Sequence, residues 1–417
     1  MKTRVAITNT VLSNTGDAAI ALSIMDQLRS ENPQAEFEFV VFDSAAAHTS
    51  KLYPELEIVQ LLSLLPPFRP GKVWRRVNGV RVAVVRGLAS QSAVRRAASR
   101  LSSALFGGAF RRAIRALEGV DLVISSGGTY LVDHYNFSAR VAELKLAKSL
   151  SKPIVLWTQS LGPFDDARAR RNATEIAEIA DAVYFRDERS KLSRESLGVS
   201  AGTQERVVAA DSVFGIDTGR ERSVDDQGAL ISVRKWKTTI TGVPSDLKNY
   251  RASVVAASRL LEERGLPVRA LSTCQGVPSY GQDDSLVARD FFHDSSRVKV
   301  DGDFHDPYEI LDELAGAKIV IATRMHFAIL ALISRVPVVA IAYEFKTVEL
   351  FKSLGLGDYC IEIENVTPEW LAERVNRLLD APEGPQLAAS VLQDTKLSAA
   401  TPATSAVVRA ALKNRVG

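Results

Sequence analysis

Thr323, Arg324, Met325 and His326 stand between a β-branched run, Ile319 to Ala322, and an apolar run, Phe327 to Ile333. The first suits a fully buried parallel strand and the second a buried helix. A permanent cation and the one side-chain type that titrates near neutral pH therefore lie where helix N–H groups point outward, which outlines an anion site. Pro337 to Ala342 reads as a second parallel strand, followed by Tyr343, Glu344 and Lys346. Ligands of open α/β sheets bind at the carboxyl ends of strands, so both polar clusters are expected to face one crevice.

The elements that must position these residues repeat a βα rhythm. Arg4 to Thr8 is a predicted strand, Asp17 to Leu28 a helix and Phe37 to Phe42 a strand, with Asn14-Thr-Gly-Asp17 in the first connection. That turn has a single glycine and an aspartate that would repel phosphate, so it is not a phosphate-binding loop; Asp17 either caps the helix or accepts hydrogen bonds from sugar hydroxyls. Asp121 to Ser125 is a strand running into Ser126, Gly127, Gly128, Thr129, Tyr130, Leu131, Val132, Asp133 and His134. Paired glycines there permit close approach by a ligand or a neighbouring element. Pro153 to Thr158 is a strand ending in Gln159, Ser160, Leu161, Gly162, Pro163 and Phe164; Ala182 to Phe185 ends in Arg186 and Asp187, and Val207 to Ala210 in Asp211. Asp187 and Asp211 read as structural caps.

After a polar linker, Gly219 to Gly228, a second α/β half begins. Ala229 to Val233 is a strand ending in Arg234, and Val268 to Thr273 a strand ending in Cys274, Gln275 and Gly276; Asp283 and Asp284 open a helix. The expected domains are 1–219, with a basic helical insertion at about 69–115, then 220–385, and a C-terminal helix, 386–417, packing back across the interface. The architecture reads as α/β: two doubly wound Rossmann-like domains in tandem, with an interdomain cleft.

Composition bounds the rest. A chain of 417 residues exceeds one core, and 46% apolar with 24% charged residues is ordinary for a soluble globular protein. The net charge of +3 predicts no partner, but from Ile58 to Leu117 there are twelve Lys or Arg and no Asp or Glu. Interleaved apolar residues make that stretch one or two basic amphipathic helices, a solvated face or a docking surface for anionic membrane, with no nucleic-acid fold signature beside it. Cys274 and Cys360 match no metal or redox spacing, and neither a signal region nor a spanning apolar run is visible. The expected location is cytoplasmic, at most peripheral to the inner face of the cell membrane.

Eight pieces in order resemble the polysaccharide pyruvyl transferase family, most similarly its colanic-acid-type exopolysaccharide members. They are Asn14-Thr-Gly-Asp17, Ser126-Gly-Gly-Thr-Tyr-Leu-Val-Asp133, Gln159-Ser-Leu-Gly-Pro-Phe164, Arg186-Asp-Glu-Arg-Ser190, Ser232-Val-Arg234, Leu271-Ser-Thr-Cys-Gln-Gly276, Thr323-Arg-Met-His326 and Tyr343-Glu-Phe-Lys346. The resemblance implies a GT-B-like two-domain fold and transfer of a pyruvyl group from phosphoenolpyruvate onto two hydroxyls of one sugar as a cyclic ketal. No metal cluster is visible in the sequence, departure of phosphate assisted by arginines needs none, and no cofactor is expected. It implies that Arg324 and His326 lie at the donor and that Arg234 contacts the donor's phosphate or carboxylate. Lys346, Tyr343 and Gln275 are placed on the donor side as well. His326 is the expected general acid/base. On the acceptor side stand Asn14, Asp17, Gly127, Gly128, His134 and Gln159, with Asp17, Asp133 and His134 orienting or deprotonating the hydroxyls of a saccharide, free or lipid-linked. Two other readings remain open: a nucleotide-sugar glycosyltransferase, with Glu344 or Glu349 on the ribose, and a membrane-peripheral scaffold of exopolysaccharide assembly docked through 69–115.

Overall fold

The computed structural model describes residues 2–61, 111–133, 136–199, 204–217, 228–244, 247–275, 282–380 and 394–413, together with 219 and 392. It divides into two compact units. The first comprises Met1–Leu12, Ile20–Ile216 and Leu397–Gly417, and the second Ser13–Ala19 and Asp217–Lys396.

The first unit is built on an eight-stranded parallel sheet. Its strands are β1 (Thr3–Thr10), β2 (Phe37–Asp43), β3 (Glu57–Gln60), β4 (Leu122–Ser125), β5 (Gly128–Leu131), β6 (Ile154–Leu161), β7 (Ala182–Phe185) and β8 (Glu205–Val208). They lie in the order β3-β2-β1-β4-β6-β7-β8, with β5 paired to β6. Its helices are α1 (Thr15–Glu31), α2 (Ala46–Leu52), α3 (Ser138–Ser149), α4 (Ala167–Ile179) and α5 (Glu188–Glu195). The first turn of α1 is counted with the second unit. Central strands are buried on both faces, as the unbroken apolar run of β4 requires. Asp166 caps α4 through the N–H of Ala169, and Asp187 caps α5 through that of Ser190. The expected role of Asp187 as a cap is thus its observed one.

Sheet order in the second unit is β11-β10-β9-β12-β13-β14, again all parallel. These are β9 (Gly228–Ser232), β10 (Val268–Ala270), β11 (Lys299–Val300), β12 (Ala317–Ala322), β13 (Val338–Ala342) and β14 (Cys360–Glu362). The helices are α6 (Lys248–Glu263), α7 (Asp284–Phe291), α8 (Pro307–Ala315), α9 (Met325–Ile333), α10 (Phe345–Ser353) and α11 (Pro368–Asp380). α8 starts with a capping box between Asp306 and Glu309 and a proline in its first turn, a strong local start signal. Every residue of α9 except His326 is buried, as its all-apolar sequence anticipates. The chain ends in the first unit with α12 (Ala406–Lys413).

Two expectations are corrected in detail. The segment after Gly127 is not only a turn, because Gly128–Leu131 forms β5, and the edge strand β3 carries too little pattern to be foreseen. Of the basic segment, 69–110 lies outside the described residues, as do 220–227 of the linker. Residues 111–119 form a helix with Arg111, Arg112 and Arg115 exposed and Ala113, Ala116 and Leu117 buried in the first unit's core. No helix among the described residues is long and apolar enough to cross a membrane.

Candidate functional site

β9 and β12 are neighbours on which the second sheet reverses direction, β10 lying on one side and β13 on the other. Ala322 pairs with Ser232, so the chain leaves both strands at one level, as Val233-Arg234 and as Thr323-Arg324. This is the switch point where doubly wound sheets bind ligands. Ser232 ties the exits together, its Oγ accepting from the N–H of Thr323 at 3.2 Å and of Arg324 at 3.4 Å. The Tyr250 hydroxyl, from α6, accepts from Arg234 N–H at 3.0 Å and shares a 3.0 Å bond with Thr323 Oγ1. Burial, before any other influence, pushes its pKa up to about 12, so it stays a neutral hydrogen-bonding post.

The two arginines differ. Arg324, 8% exposed, donates from Nε to Asp284 Oδ2 at 2.6 Å and from Nη2 to Asp284 Oδ1 at 2.9 Å; Asp284 is 2% exposed. Burial opposes the charge on Arg324, but Asp284, with Tyr343 and Cys274, holds its pKa well above the ordinary value. Arg234, 7% exposed, is held by aromatic groups instead. Its Nη1 donates to Tyr343 Oη at 2.6 Å, and its guanidinium carbon lies 4.2 Å from the Tyr343 ring centroid and 4.9 Å from that of Trp236. Its Nε is buried and finds no hydrogen-bond partner among the described residues. A buried cation with an N–H that no described residue accepts is suited to an anion.

His326 follows in the first turn of α9, partly exposed. Across from it lies the turn Ser13–Ala19. Asn14 bridges to Cys274, Thr15 N–H donates to Thr273 O at 3.1 Å, and Thr15 Oγ1 donates to His305 O at 2.7 Å. Asn14 and Asp17, expected with the acceptor residues of the first half, are therefore grouped with the donor residues of the second. Cys274 sits among the charges: burial first, opposed by Arg324 and Arg234 and reinforced by Asp284 and Asp17, raises its thiol to about 11. It remains a protonated packing group.

Other donor-side residues are engaged with the protein. Lys346 Nζ is 2.7 Å from Glu344 Oε2, so its charge is largely met. Gln275 donates through Nε2 to Asp303 O. In the first unit, Asp133 Oδ2 accepts from the N–H groups of Asp165 at 2.6 Å and Asp166 at 3.2 Å, fixing the entry to α4. Gln159 is 0% exposed, and its amide donates to the carbonyls of Ser125 and Ser126, tethering the end of β4 to β6. A Cβ on Gly127 would stand 2.9 Å from Trp157 O and Thr158 O, and Gly128 has φ +122°. Gly127 is explained by the neighbouring strand and Gly128 by its backbone conformation, and Gln159, placed on the acceptor side from its sequence, is fully buried. His134 lies outside the described residues. Asp211 caps the turn Ser212–Gly215 and pairs with Arg186 at 3.0 Å, as a structural group.

The functional partner that sequence reasoning missed is Asp284. Its neighbour Asp283 caps α7, so the pair read as a helix start; nothing local connects Asp284 to an arginine forty residues later.

Two parallel-sheet units of this kind define a GT-B-like protein with Rossmann-like domains. Solved structures agree at the level of fold. A putative UDP-N-acetylglucosamine 2-epimerase from Listeria monocytogenes matches with a TM-score of 0.58 at 13% identity, over 96% of this chain and 94% of that one. HepE of Anabaena, solved in complex with UDP-glucose, matches with a TM-score of 0.54 at 12% identity, over 99% of each chain. The family model for polysaccharide pyruvyl transferase matches residues 14–344, and the chain belongs to that family. The amylovoran biosynthesis protein AmsJ of Erwinia amylovora is 29% identical over 285 residues, 63% of this chain and 66% of AmsJ. The match thus spans just under two thirds of that relative's length.

Proposed function

We propose that the protein transfers a pyruvyl group from phosphoenolpyruvate to two hydroxyls of one sugar of an exopolysaccharide or cell-wall saccharide, releasing phosphate and leaving a cyclic ketal. The observation that carries this reading is the exit of Arg234 and Arg324 from adjacent strand ends beside His326, in a chain of this family. Phosphoenolpyruvate bears a carboxylate and a phosphate. A site for it needs at least two cationic anchors with directional N–H groups, which guanidinium supplies. Arg234 offers an unpartnered Nε and a charge met by no carboxylate among the described residues; Arg324 offers a guanidinium fixed in orientation by Asp284.

The reaction begins with proton transfer from His326 to the methylene carbon of the donor, making the central carbon cationic. One sugar hydroxyl adds there and loses its proton, which restores the acid. The C–O bond to phosphate then breaks, phosphate leaves with the electron pair, and the second hydroxyl adds to the same carbon, its proton leaving with phosphate. Asp17, on the turn Ser13–Ala19 of the second unit, is the carboxylate assigned to pass the second hydroxyl's proton to the departing phosphate.

Thermal stabilisation by phosphoenolpyruvate and not by UDP- or GDP-sugars tests the donor. Phosphate release from phosphoenolpyruvate is expected to depend on added saccharide acceptor and to fall roughly 10²- to 10⁴-fold in His326→Ala, the range for loss of a general acid. Full turnover in that variant would remove His326 from the chemistry, and stabilisation by nucleotide sugars alone would overturn the donor.

A further inference from the structure

Gly16 occupies the first turn of α1, and its φ is not among the positive ones. Any L-residue could adopt that backbone, and glycine weakens a helix relative to alanine. Conformational freedom therefore does not explain it. Space does. A Cβ built on Gly16 would stand 2.6 Å from Nδ1 and 3.2 Å from Cγ of His326, so the bare Cα is packed against the imidazole.

The turn cannot retreat to relieve such a contact, because the two residues before Gly16 are anchored within the second unit. Asn14 is bridged to Cys274 and its Oδ1 accepts from Gly16 N–H at 3.0 Å. Thr15 is almost fully buried, tied by its N–H to Thr273 and by its Oγ1 to the carbonyl of His305. His326 is in turn held at the start of α9, whose other residues are buried. Both sides of the contact are thus fixed by independent interactions, and only the ring can yield.

We infer that the turn Ser13–Ala19 completes the His326 site, with Gly16 as a positioning residue that sets where the imidazole stands. The inference rests on the reading of His326 as the proton donor. Nδ1 and Cγ are the ring atoms that Gly16 limits, so the glycine fixes the orientation of the imidazole. A methyl group at Gly16 would turn the ring about its side-chain torsions, and a displacement near 1 Å at a reacting group costs roughly 10²-fold in rate.

Ring ¹H–¹³C correlations of the five histidines, with His326 assigned by loss of its signal in His326→Ala, read the imidazole without reference to turnover. In Gly16→Ala the His326 signal is expected to shift while the other assigned signals stay, and kcat to fall roughly 10²-fold with KM for phosphoenolpyruvate within a few-fold. An unmoved His326 signal in folded Gly16→Ala overturns the inference whatever the rate does. If Gly16→Ala does not fold, Thr15→Val and Thr15→Ser decide: loss of the hydroxyl anchor is expected to move the His326 signal, and serine to restore it. Wild-type positions in both variants would sink the inference. Absence of phosphoenolpyruvate turnover in the wild-type protein would overturn the proposed reaction and leave the spectroscopic result standing, so the two failures are distinguishable.

Discussion

Arg324 and Arg234 carry the same formal charge but do not offer a ligand the same thing. The bidentate contact of Arg324 with Asp284 cancels most of its field, while the Arg234 guanidinium keeps its field between Tyr343 and Trp236. Attraction of the proposed donor, with its carboxylate and phosphate, is therefore assigned chiefly to Arg234, and its alignment to Arg324. Removing one partner of a buried ion pair leaves the other charge uncompensated, which costs about 3–5 kcal/mol. Asp284→Asn is accordingly expected to lower unfolding stability of the second unit by that order in urea titration, with an unchanged m-value; a loss below about 1 kcal/mol, the range of exposed pairs, would mean that Arg324 has turned to other partners or to solvent. Thr323 through His326 were legible because a strand, a short polar exit and a helix start are local signals. The Asp284 carboxylate and the Gly16 contact were not, since each joins residues that only the folded sheet brings together.

The same contrast holds for elements. Periodicity located Ala182–Phe185 and Phe37–Asp43 closely, because the first whole strand and residues 39–42 of the second are unbroken apolar runs, as burial in a parallel sheet requires. It failed at β5, where Gly127-Gly128 reads as a turn and the strand that follows is recognisable only through its pairing with β6. Paired glycines permit either a ligand or a neighbouring element, and at Gly127 the close neighbour is the backbone of β6. That difference is testable. The carbonyls of Trp157 and Thr158 lie in the interior strand β6 and cannot rotate away as a side chain would, so Gly127→Ala forces a backbone shift costing about 1–3 kcal/mol. A lower midpoint of thermal unfolding, with unaltered KM for the saccharide acceptor in the protein that remains folded, is the expected outcome. A raised acceptor KM at undiminished stability would restore Gly127 to the acceptor site.

At the scale of the whole molecule, the chain passes between units where no linker composition marks it, at Leu12/Ser13, Ala19/Ile20 and Lys396/Leu397. Only the passage near Asp217 falls by the polar stretch that sequence reading picked out. The others are invisible in sequence because they are set by tertiary packing, and they give the end of the chain a definite duty. Within the first unit, Ser398 Oγ accepts from Ala210 N–H at 3.0 Å, and Ala403 O accepts from Asn32 Nδ2 at 3.2 Å. Ala399, Ala403, Val408 and Ala411 are buried, and Pro402 with them. Withdrawing those side chains from water contributes on the order of a few kcal/mol. Deleting 397–417 is therefore expected to destabilise the first unit, seen as loss of amide-exchange protection in β7 and β8. Protection in β9 and β12 should persist, because the residues removed belong to the other compact unit. Equal loss of protection in both units would show that they unfold as one, and that the C-terminal segment stabilises the entire molecule.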